Sequence, residues 1–117
     1  MLLMWWYGHY KAVYLGLNLQ TVGVVNAASV TSLSGSVATL NTAYAANGAG
    51  TISNLGNEAV NIDGIPSQAV AALNTLNANT SGIVNAAAIT TLAGSAANVN
   101  TAFDAGVAGE ISGLGSE

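Results

Sequence analysis

A segment of this chain occurs twice. Residues 23–58 reappear as residues 82–117, shifted by 59 positions without a gap, and 21 of the 36 aligned positions are identical. Most of the other positions exchange similar residues, such as Tyr44 with Phe103. A fixed period of this kind is typical of proteins that stack one structural unit repeatedly. The repeat therefore constrains the architecture far more than it constrains the chemistry.

The repeat divides the chain into an atypical N-terminal segment, residues 1–21, and an array, residues 22–117. Within the array, residues 22–81 make one full period, and residues 82–117 begin a second period that stops inside the unit. We expect either a longer parent array, of which this chain is a fragment, or an incomplete gene product.

Charged residues are rare and almost all acidic. Lys11 is the one basic residue, five residues are acidic, and charged residues make up 5% of the chain. Binding to nucleic acid or to an anionic membrane surface needs clustered Lys and Arg. We therefore expect neither nucleic-acid partners nor membrane insertion.

The chain also lacks cysteine, which excludes disulfides and thiolate metal sites.

Each period contains two candidate helices. The first covers residues 36–47, with its copy at residues 95–106, and its larger apolar residues recur on one face, at Val37, Leu40 and Tyr44. Ser36 is a favourable N-cap, and glycines follow the helix. The second helix covers residues 66–79, with Pro66 in its first turn and Asp63 as the predicted cap. Its predicted apolar stripe is Ala69, Leu73 and Leu76.

Short β-prone segments precede these helices, at residues 29–33 (SVTSL), 59–62 (AVNI) and 88–92 (AITTL). Strands that all return through helices form a parallel sheet. We therefore predict an α/β fold, a short solenoid of strand–turn–helix units, with two units of about thirty residues in each period. A mostly helical repeat array is the alternative, because such short strands are difficult to predict.

The N-terminal segment holds the only histidine and five of the seven aromatic residues, Trp5, Trp6, Tyr7, Tyr10 and Tyr14. Shifted by 59, positions 7–20 fall on the candidate helix at residues 66–79, which predicts a helix that caps the first repeat. The alternatives are an arbitrary start and a signal or membrane anchor, although the apolar run is too short to span a bilayer.

The sequence offers little catalytic chemistry. His9 could act as a general base or a metal ligand, but no carboxylate lies near it in the sequence. Ser and Thr nucleophiles need an activating base, and the array contains no His or Lys. We expect no enzyme activity, no catalytic residues and no cofactor.

Acidic residues raise the question of a calcium site. Glu58 and Asp63 flank the predicted strand AVNI, and Asp63-Gly64 resembles half of a calcium loop. No complete calcium motif is present, however. Glu58 and Glu117 occupy the same repeat position, which favours a structural role because a catalytic site needs to be built only once. We therefore predict no metal site, with calcium as the alternative.

Asparagine recurs at fixed positions, in one helix position (Asn41, Asn74 and Asn100) and one loop position (Asn26 and Asn85). Stacked repeats would align these amides, where they could satisfy backbone groups of the loops. Thr-rich runs such as Thr90-Thr91 could form a flat array of hydroxyls for water or sugar.

The phrases VNAASVTSLSGSVATLNTAYAA, AGTISNLGNEAVNI and AVAALNTLNANTSGIVNAAAITTLAG cover most of residues 20–117. They resemble the Ala/Thr/Ser/Asn-rich tandem repeats of very large bacterial proteins, cyanobacterial ones among them. The resemblance implies a long extracellular or cell-surface protein, sometimes with calcium-binding repeats elsewhere, exported without a cleaved N-terminal signal. It implies no catalytic residues.

We expect a structural segment of such a protein, acting as a spacer, a surface-layer component or an adhesin stalk. The alternative is a glycan- or calcium-binding module that uses the recurring Asn, Thr and acidic positions. The expected partners are neighbouring repeats of the same or identical chains, with possible end-to-end self-association, because the uncovered end of an array exposes apolar surface and a sheet edge.

Overall fold

The computed structural model describes residues 23–64 and 66–115. The predictions for residues 1–21, including His9 and the capping helix, and the prediction for Glu117 lie outside the described residues. The structure described below therefore belongs to the array.

Three helices lie in the described part of the chain: α1 (Val37–Gly48), α2 (Val70–Ala78) and α3 (Ala96–Val107). The Ser36 hydroxyl accepts a hydrogen bond from the Thr39 backbone N–H at 3.2 Å and so caps α1. Ser95 caps α3 in the same way through the Asn98 N–H, also at 3.2 Å. Both helices begin and end within one residue of their predicted bounds, which confirms these two predictions.

Short strands alternate with the helices, at β1 (Val25–Asn26), β2 (Ser32–Gly35), β3 (Ile52–Ser53), β4 (Ala59–Ile62), β5 (Ser67–Ala69), β6 (Val84–Asn85), β7 (Thr91–Ala93) and β8 (Ile111–Ser112). All their pairings are parallel. They form a four-stranded sheet in the order β2-β4-β6-β8 and two pairs, β1-β3 and β5-β7. Parallel neighbours need a long crossover, and the helices provide it.

Strands β4 and β6 are the two inner strands of the four-stranded sheet, because β4 pairs with β2 and β6, and β6 pairs with β4 and β8. The pairing of β1 with β3 joins Val25 to Ile52, 27 positions later, whereas that of β4 with β6 joins Val60 to Val84, 24 positions later. The helices contact one another in chain order, α1 with α2 and α2 with α3.

The core lies between the four-stranded sheet and the helices. One row of paired residues crosses the sheet and is buried throughout: Leu33, Val60, Val84 and Ile111. The adjacent row points the other way and is polar: Ser34, Asn61, Asn85 and Ser112. This alternation is the two-residue period of a sheet with one buried face.

The helices bury their apolar faces unequally. In α1 the predicted stripe is buried. In α2 Leu73 and Leu76 of the predicted stripe are inaccessible to solvent together with Val70, whereas Ala69 was wrongly included in it, because Ala69 is exposed and precedes the helix. Burying one such aliphatic side chain contributes about 1.5–3 kcal/mol, so these helices depend on packing for their stability. In α3 only Ala102 is buried, and Phe103 is partly exposed.

The predicted start of the second helix was wrong. Residues 67–69 form strand β5, which pairs with β7, and α2 begins only at Val70. Pro66 therefore precedes a strand instead of opening a helix. Asp63 does not cap α2, because the N-cap position is Ala69, which makes no side-chain cap hydrogen bond. The gain in parallel pairing prevailed over the helix preference of the segment.

The predicted strand AVNI coincides with β4, whereas the strands predicted at residues 29–33 and 88–92 lie about three residues further along the chain. Val30 and Ile89 are buried in turns, and each donates its backbone N–H to the residue three positions earlier. The α/β prediction with parallel strands is confirmed, and the mostly helical alternative was wrong. The stacking of units into a solenoid stays a prediction.

Candidate functional site

An asparagine near the middle of each of the first two helices joins that helix to the next one. Asn41 of α1 donates its side-chain N–H to the Ala72 carbonyl of α2 at 3.0 Å. Asn74 of α2 donates to the Asn98 carbonyl of α3 at 2.9 Å. In both helices that accept, the carbonyl lies two residues before that helix's own recurring asparagine. Equivalent contacts therefore fix α1 against α2 and α2 against α3.

The third asparagine of this series behaves differently. Asn100 of α3 donates to the Asp104 carboxylate within the same helix, at 2.9 Å. The part of the chain that the structure describes contains no helix beyond α3 to accept the bond. These helix asparagines bond to helix carbonyls, or to a neighbouring carboxylate, and not to loop backbone groups as the sequence had predicted.

The threonine after each of these asparagines bonds within its own helix. The hydroxyl donates to the carbonyl four residues earlier at 2.9–3.0 Å, in Thr42, Thr75 and Thr101. The recurring triplet (LNT or VNT) thus combines an apolar core residue, an amide available to a neighbour, and a hydroxyl satisfied locally.

The loop asparagines do satisfy loop backbone, as predicted. The side-chain oxygens of Asn26 and Asn85 each accept from the backbone N–H two residues later, at 3.0 and 3.1 Å. Both residues also bond to a neighbouring segment: the Asn85 amide donates to the Asn61 side-chain oxygen at 3.3 Å, and the Asn26 side-chain oxygen accepts from the Asn54 amide at 2.9 Å. In the polar row of the four-stranded sheet, a hydrogen bond thus joins Asn61 to Asn85.

Glu58 is buried, with 2% of its surface exposed, and its carboxylate is held by neutral donors. The Tyr44 hydroxyl donates to it at 3.0 Å, and the Gly56 backbone N–H donates at 2.9 Å. The chain has no basic residue after Lys11 in the sequence. A buried carboxylate needs such donors to offset its loss of hydration.

The phenol of Tyr44 is strongly perturbed. The pKa of Tyr44 is raised to about 12, chiefly by burial; the hydrogen bond with Thr80 opposes this shift, and the charge and hydrogen bond of Glu58 add to it. The hydroxyl therefore keeps its proton and remains a donor to Glu58 over the whole physiological range of pH.

Residues 80–82 close over this buried pair. The Gly56 carbonyl accepts from the Ser81 backbone N–H at 2.7 Å and from the hydroxyls of Thr80 and Ser81 at 3.2 and 3.0 Å. A Cβ added to Gly82 would lie 1.9 Å from the Glu58 carbonyl oxygen. Only glycine permits this approach of the two backbones. The contacts around Glu58 thus join residues 56–58 to residues 80–82, which are distant in the sequence.

The other described acids are exposed and do not converge. Asp63 lies at the surface, and Glu110 accepts from the Asn77 amide at 2.9 Å. Within residues 23–64 and 66–115, no group of three or more His, Cys, Asp or Glu side chains could hold a metal ion. Of the two acids that flank β4, Glu58 is buried and Asp63 is exposed, and calcium binding stays a prediction.

The predicted hydroxyl array is small. Thr90 and Thr91 are exposed, and the pairing of β5 with β7 places Ser67 beside Thr91. Both threonine N–H groups donate to the Pro66 carbonyl, at 2.8 and 3.2 Å. Two neighbouring hydroxyls of this kind make a narrow surface compared with the polar row of the four-stranded sheet.

The end of the array carries an apolar groove of about 450 Å³, which we call the C-terminal groove. It is lined by Ile83, Phe103, Gly106, Val107, Gly109 and residues 111–115. Exposed fractions are 39% for Phe103, 56% for Ile83 and 90% for Val107. A second, more polar cavity of about 350 Å³ lies on the loop at residues 54–57, next to Ala28.

The sequence did not predict the Tyr44–Glu58 pair or the C-terminal groove. The two positions recur in the second copy as Phe103 and Glu117. Phenylalanine has no hydroxyl, so the comparison of the two copies does not indicate that these positions are hydrogen-bonded. The groove depends on which surfaces the fold leaves uncovered, and the sequence pattern carries no signal for that.

Comparison with protein-family models, with curated proteins and with solved structures finds no match to this chain. No described helix has both the length and the apolar character needed to cross a membrane. The proposed function therefore depends on the geometry of the described residues.

Proposed function

We propose that this chain is a segment of an extended structural array, a spacer, surface-layer component or adhesin stalk, without catalytic activity. The observation that carries the proposal is the repeated asparagine contact, from Asn41 to α2 and from Asn74 to α3. A contact reused between successive units builds length. A catalytic site, in contrast, gathers different groups at one place.

Matching backbone geometry 59 residues apart supports the same proposal. The N-caps Ser36 and Ser95 have φ of −69° and −72° and ψ of 155° and 151°. Gly50 and Gly109, which follow the two helices, have φ of 80° and 82°. Equivalent residues in the two copies thus adopt equivalent conformations, as the stacking of one unit requires.

In this proposal the strand–turn–helix units form a short solenoid. The buried row across four strands and the contacts between successive helices are what such stacking needs. Two units, of about thirty residues each, would make one 59-residue period. Each unit buries its apolar side against its neighbours and is not expected to fold by itself.

We further propose an extracellular or cell-surface location and kinship with the Ala/Thr/Ser/Asn-rich tandem repeats of very large bacterial proteins. The sequence phrases quoted above support this kinship. The composition is compatible with it, since polar uncharged Ser, Thr and Asn supply the hydrophilic surface of a chain with 5% charged residues.

The array proposal is tested by changing the length of the chain. Full-length protein carrying one, two or three additional copies of residues 23–81, inserted after Ser81, is compared by small-angle X-ray scattering. Two further strand spacings per period should lengthen the molecule by about 10 Å each time. Growth of all dimensions together, as in an enlarging globule, or unfolding of the inserted copies would contradict the proposal.

A second candidate function is a glycan-binding module, which the exposed polar row of the sheet favours. Asn61 and Asn85 lie side by side in this row and share a hydrogen bond. Calorimetric titration with soluble bacterial surface polysaccharide, and separately with calcium, separates the candidates. A spacer gives no saturable heat, whereas a glycan-binding module gives heat with the polysaccharide that Asn85→Ala reduces.

A further inference from the structure

Two dipeptides of this chain place an asparagine or an aspartate directly before a glycine: Asn47-Gly48 and Asp63-Gly64. Such dipeptides are chemically labile. The backbone nitrogen of the glycine can attack the side-chain Cγ of the preceding residue, because glycine has no side chain to shield that nitrogen or to restrict the backbone. In an unfolded chain the asparagine reacts first, since an amide is attacked more readily than an ionised carboxylate. In a folded chain, access to the two atoms decides.

The side chain of Asn47 is held at both of its polar atoms. Its oxygen accepts from the Leu55 backbone N–H at 3.1 Å, and its amide donates to the Leu55 carbonyl at 3.3 Å. Asn47 and Gly48 are the last two residues of α1, and the Ala49 N–H still bonds to the Ala45 carbonyl at 2.9 Å. The attacking nitrogen and the attacked carbon are therefore both fixed, so Asn47 reacts only when this end of the helix opens.

Asp63 and Gly64 are in the opposite situation. Both residues are exposed and lie between β4 and β5. Among the described residues, no hydrogen bond holds the Asp63 carboxylate or the Gly64 N–H. Gly64 has a φ of 93°, which residues other than glycine rarely adopt, and a Cβ there would meet no atom within 4 Å. The carboxyl group and the nitrogen next to it are thus both accessible.

We infer that Asp63-Gly64 is a modification site, at which the folded protein slowly converts aspartate to isoaspartate. The Gly64 nitrogen bonds to Cγ of Asp63, and the hydroxyl of the protonated carboxyl leaves with the amide proton as water, which closes a succinimide ring. Water then opens the ring at one of its carbonyls. Addition at Cγ restores aspartate, whereas addition at the main-chain carbonyl leaves the main chain running through Cγ. The step needs no reactant besides water, and the mass of the chain is unchanged.

The modification alters the backbone where two paired strands end. The last paired residues of β2 and β4 are Gly35 and Ile62, and the next N–H, that of Asp63, donates to the Gly35 carbonyl at 3.0 Å. Isoaspartate adds one carbon to the main chain just beyond this bond. Because Asp63 and Gly64 are exposed and open space surrounds Gly64, we expect the modified protein to remain folded and to accumulate with age.

Incubation of the full chain at neutral pH and physiological temperature tests the inference. An isoaspartate-specific methyltransferase measures the total isoaspartate, and mass spectrometry of peptides with electron-based fragmentation locates it. In the folded protein we expect more isoaspartate at Asp63 than at Asn47. In guanidinium the order should reverse. The rate at Asn47 should rise about a hundredfold or more, because its helix no longer has to open, whereas the rate at Asp63 should change by less than about threefold.

Two variants separate this site from the other acids. Asp63→Glu keeps the charge, but its ring would contain one more carbon and would close much more slowly, so the isoaspartate signal of the folded protein should fall roughly tenfold. Asp104→Glu is the matched control. Asp104 is also exposed, but it lies within α3 and precedes an alanine, so this variant should leave the signal unchanged.

Three results would overturn the inference: no isoaspartate at Asp63 in the folded protein, more isoaspartate at Asn47 than at Asp63 in the folded protein, or an undiminished signal in Asp63→Glu. The first two would mean that the fold protects the aspartate or leaves the asparagine accessible. None of these results affects the length experiment on inserted periods, so this inference and the array proposal can fail independently.

Discussion

At the scale of single residues, the contacts around Glu58 depend on a glycine and on uncharged hydrogen-bond donors. Gly82 allows two backbones to touch, and the Tyr44 hydroxyl and Gly56 N–H hold the buried carboxylate. Neither feature tolerates much change, because a close backbone contact has no side chain to move, and residues 23–64 and 66–115 contain no Lys or Arg that could pair with the buried carboxylate.

Replacing Gly82 by alanine should destabilise the protein strongly. The new Cβ would lie 1.9 Å from the Glu58 carbonyl oxygen, so the backbone must move, and we expect a loss of about 2 kcal/mol or more in the free energy of unfolding. Urea denaturation measures it. Gly23→Ala, at the matching repeat position with open space, is the control and should change stability by less than about 1 kcal/mol. Equal effects at the two positions would contradict the close approach.

The pKa of Tyr44 predicts an alkaline loss of stability. In the unfolded chain this phenol releases its proton near pH 10.0, whereas burial keeps it protonated in the folded state up to about pH 12. Between these values the unfolded state binds fewer protons, so the free energy of unfolding falls as the pH rises. The free energy of unfolding should therefore fall more steeply with pH in the unaltered protein than in Tyr44→Phe. The difference in slope corresponds to the release of up to about one additional proton on unfolding. Parallel slopes for the two proteins would argue against a buried phenol.

At the scale of elements, the serine caps distinguish α1 and α3 from α2. Ser36 and Ser95 each satisfy a backbone N–H of the first turn, whereas the N-cap of α2 is Ala69 and offers no side-chain acceptor. Helix α2 compensates with an apolar face that is buried completely. Its formation is therefore tied more closely to packing than that of its neighbours.

Cap substitutions should act in opposite directions. Ser36→Ala removes the bond to the Thr39 N–H and should lower the free energy of unfolding by about 1 kcal/mol. Ala69→Ser supplies the missing acceptor to α2 and should raise it by about 0.5–1 kcal/mol. Ser34→Ala, on the exposed face of β2, is the control with no expected change. If thermal denaturation showed that both cap variants change the free energy of unfolding in the same direction, these roles would be contradicted.

The sequence predicted these elements as far as local signals reached. Serine caps and following glycines defined α1 and α3 to within one residue, and the β-branched run AVNI defined β4. The start of α2 was misplaced because Pro66 favours a first helical turn, whereas pairing with β7 draws residues 67–69 into a strand. The two-residue strands have no local signal, since only their partners make them strands.

The candidate site was predictable in part for the same reason. Repetition singled out the asparagines Asn41 and Asn74, but their acceptors on the next helix depend on how the helices pack. Recurrence predicted a structural role for Glu58, but its donor Tyr44 lies 14 residues earlier, and no local pattern connects the two residues.

At the scale of the whole molecule, burial decreases toward the C-terminal end. Helix α2 lies between two other helices and has three fully buried apolar residues, whereas α3 has one buried residue and ends beside the open groove. Among the described helices, α2 contacts two others and α3 contacts one, and an element with fewer buried apolar contacts opens more easily.

Hydrogen exchange should report this difference. We expect backbone amides in the middle of α2 to exchange at least about tenfold more slowly than those in the middle of α3, under conditions where exchange follows local opening. Mass spectrometry of peptic fragments resolves the two helices. Uniform protection across both helices would indicate one cooperative unit instead.

The asparagine contact has a consequence for how such a gene can change in length. A middle helix such as α2 both gives one amide hydrogen and receives one, always at the same offset from its own asparagine. Recombination that adds or removes a whole 59-residue period brings matching donors and acceptors together again. In the proposed array, an exchange that adds or removes part of a unit leaves an amide opposite the wrong backbone atom, so selection for a folded product would let the number of units vary and keep their phase fixed.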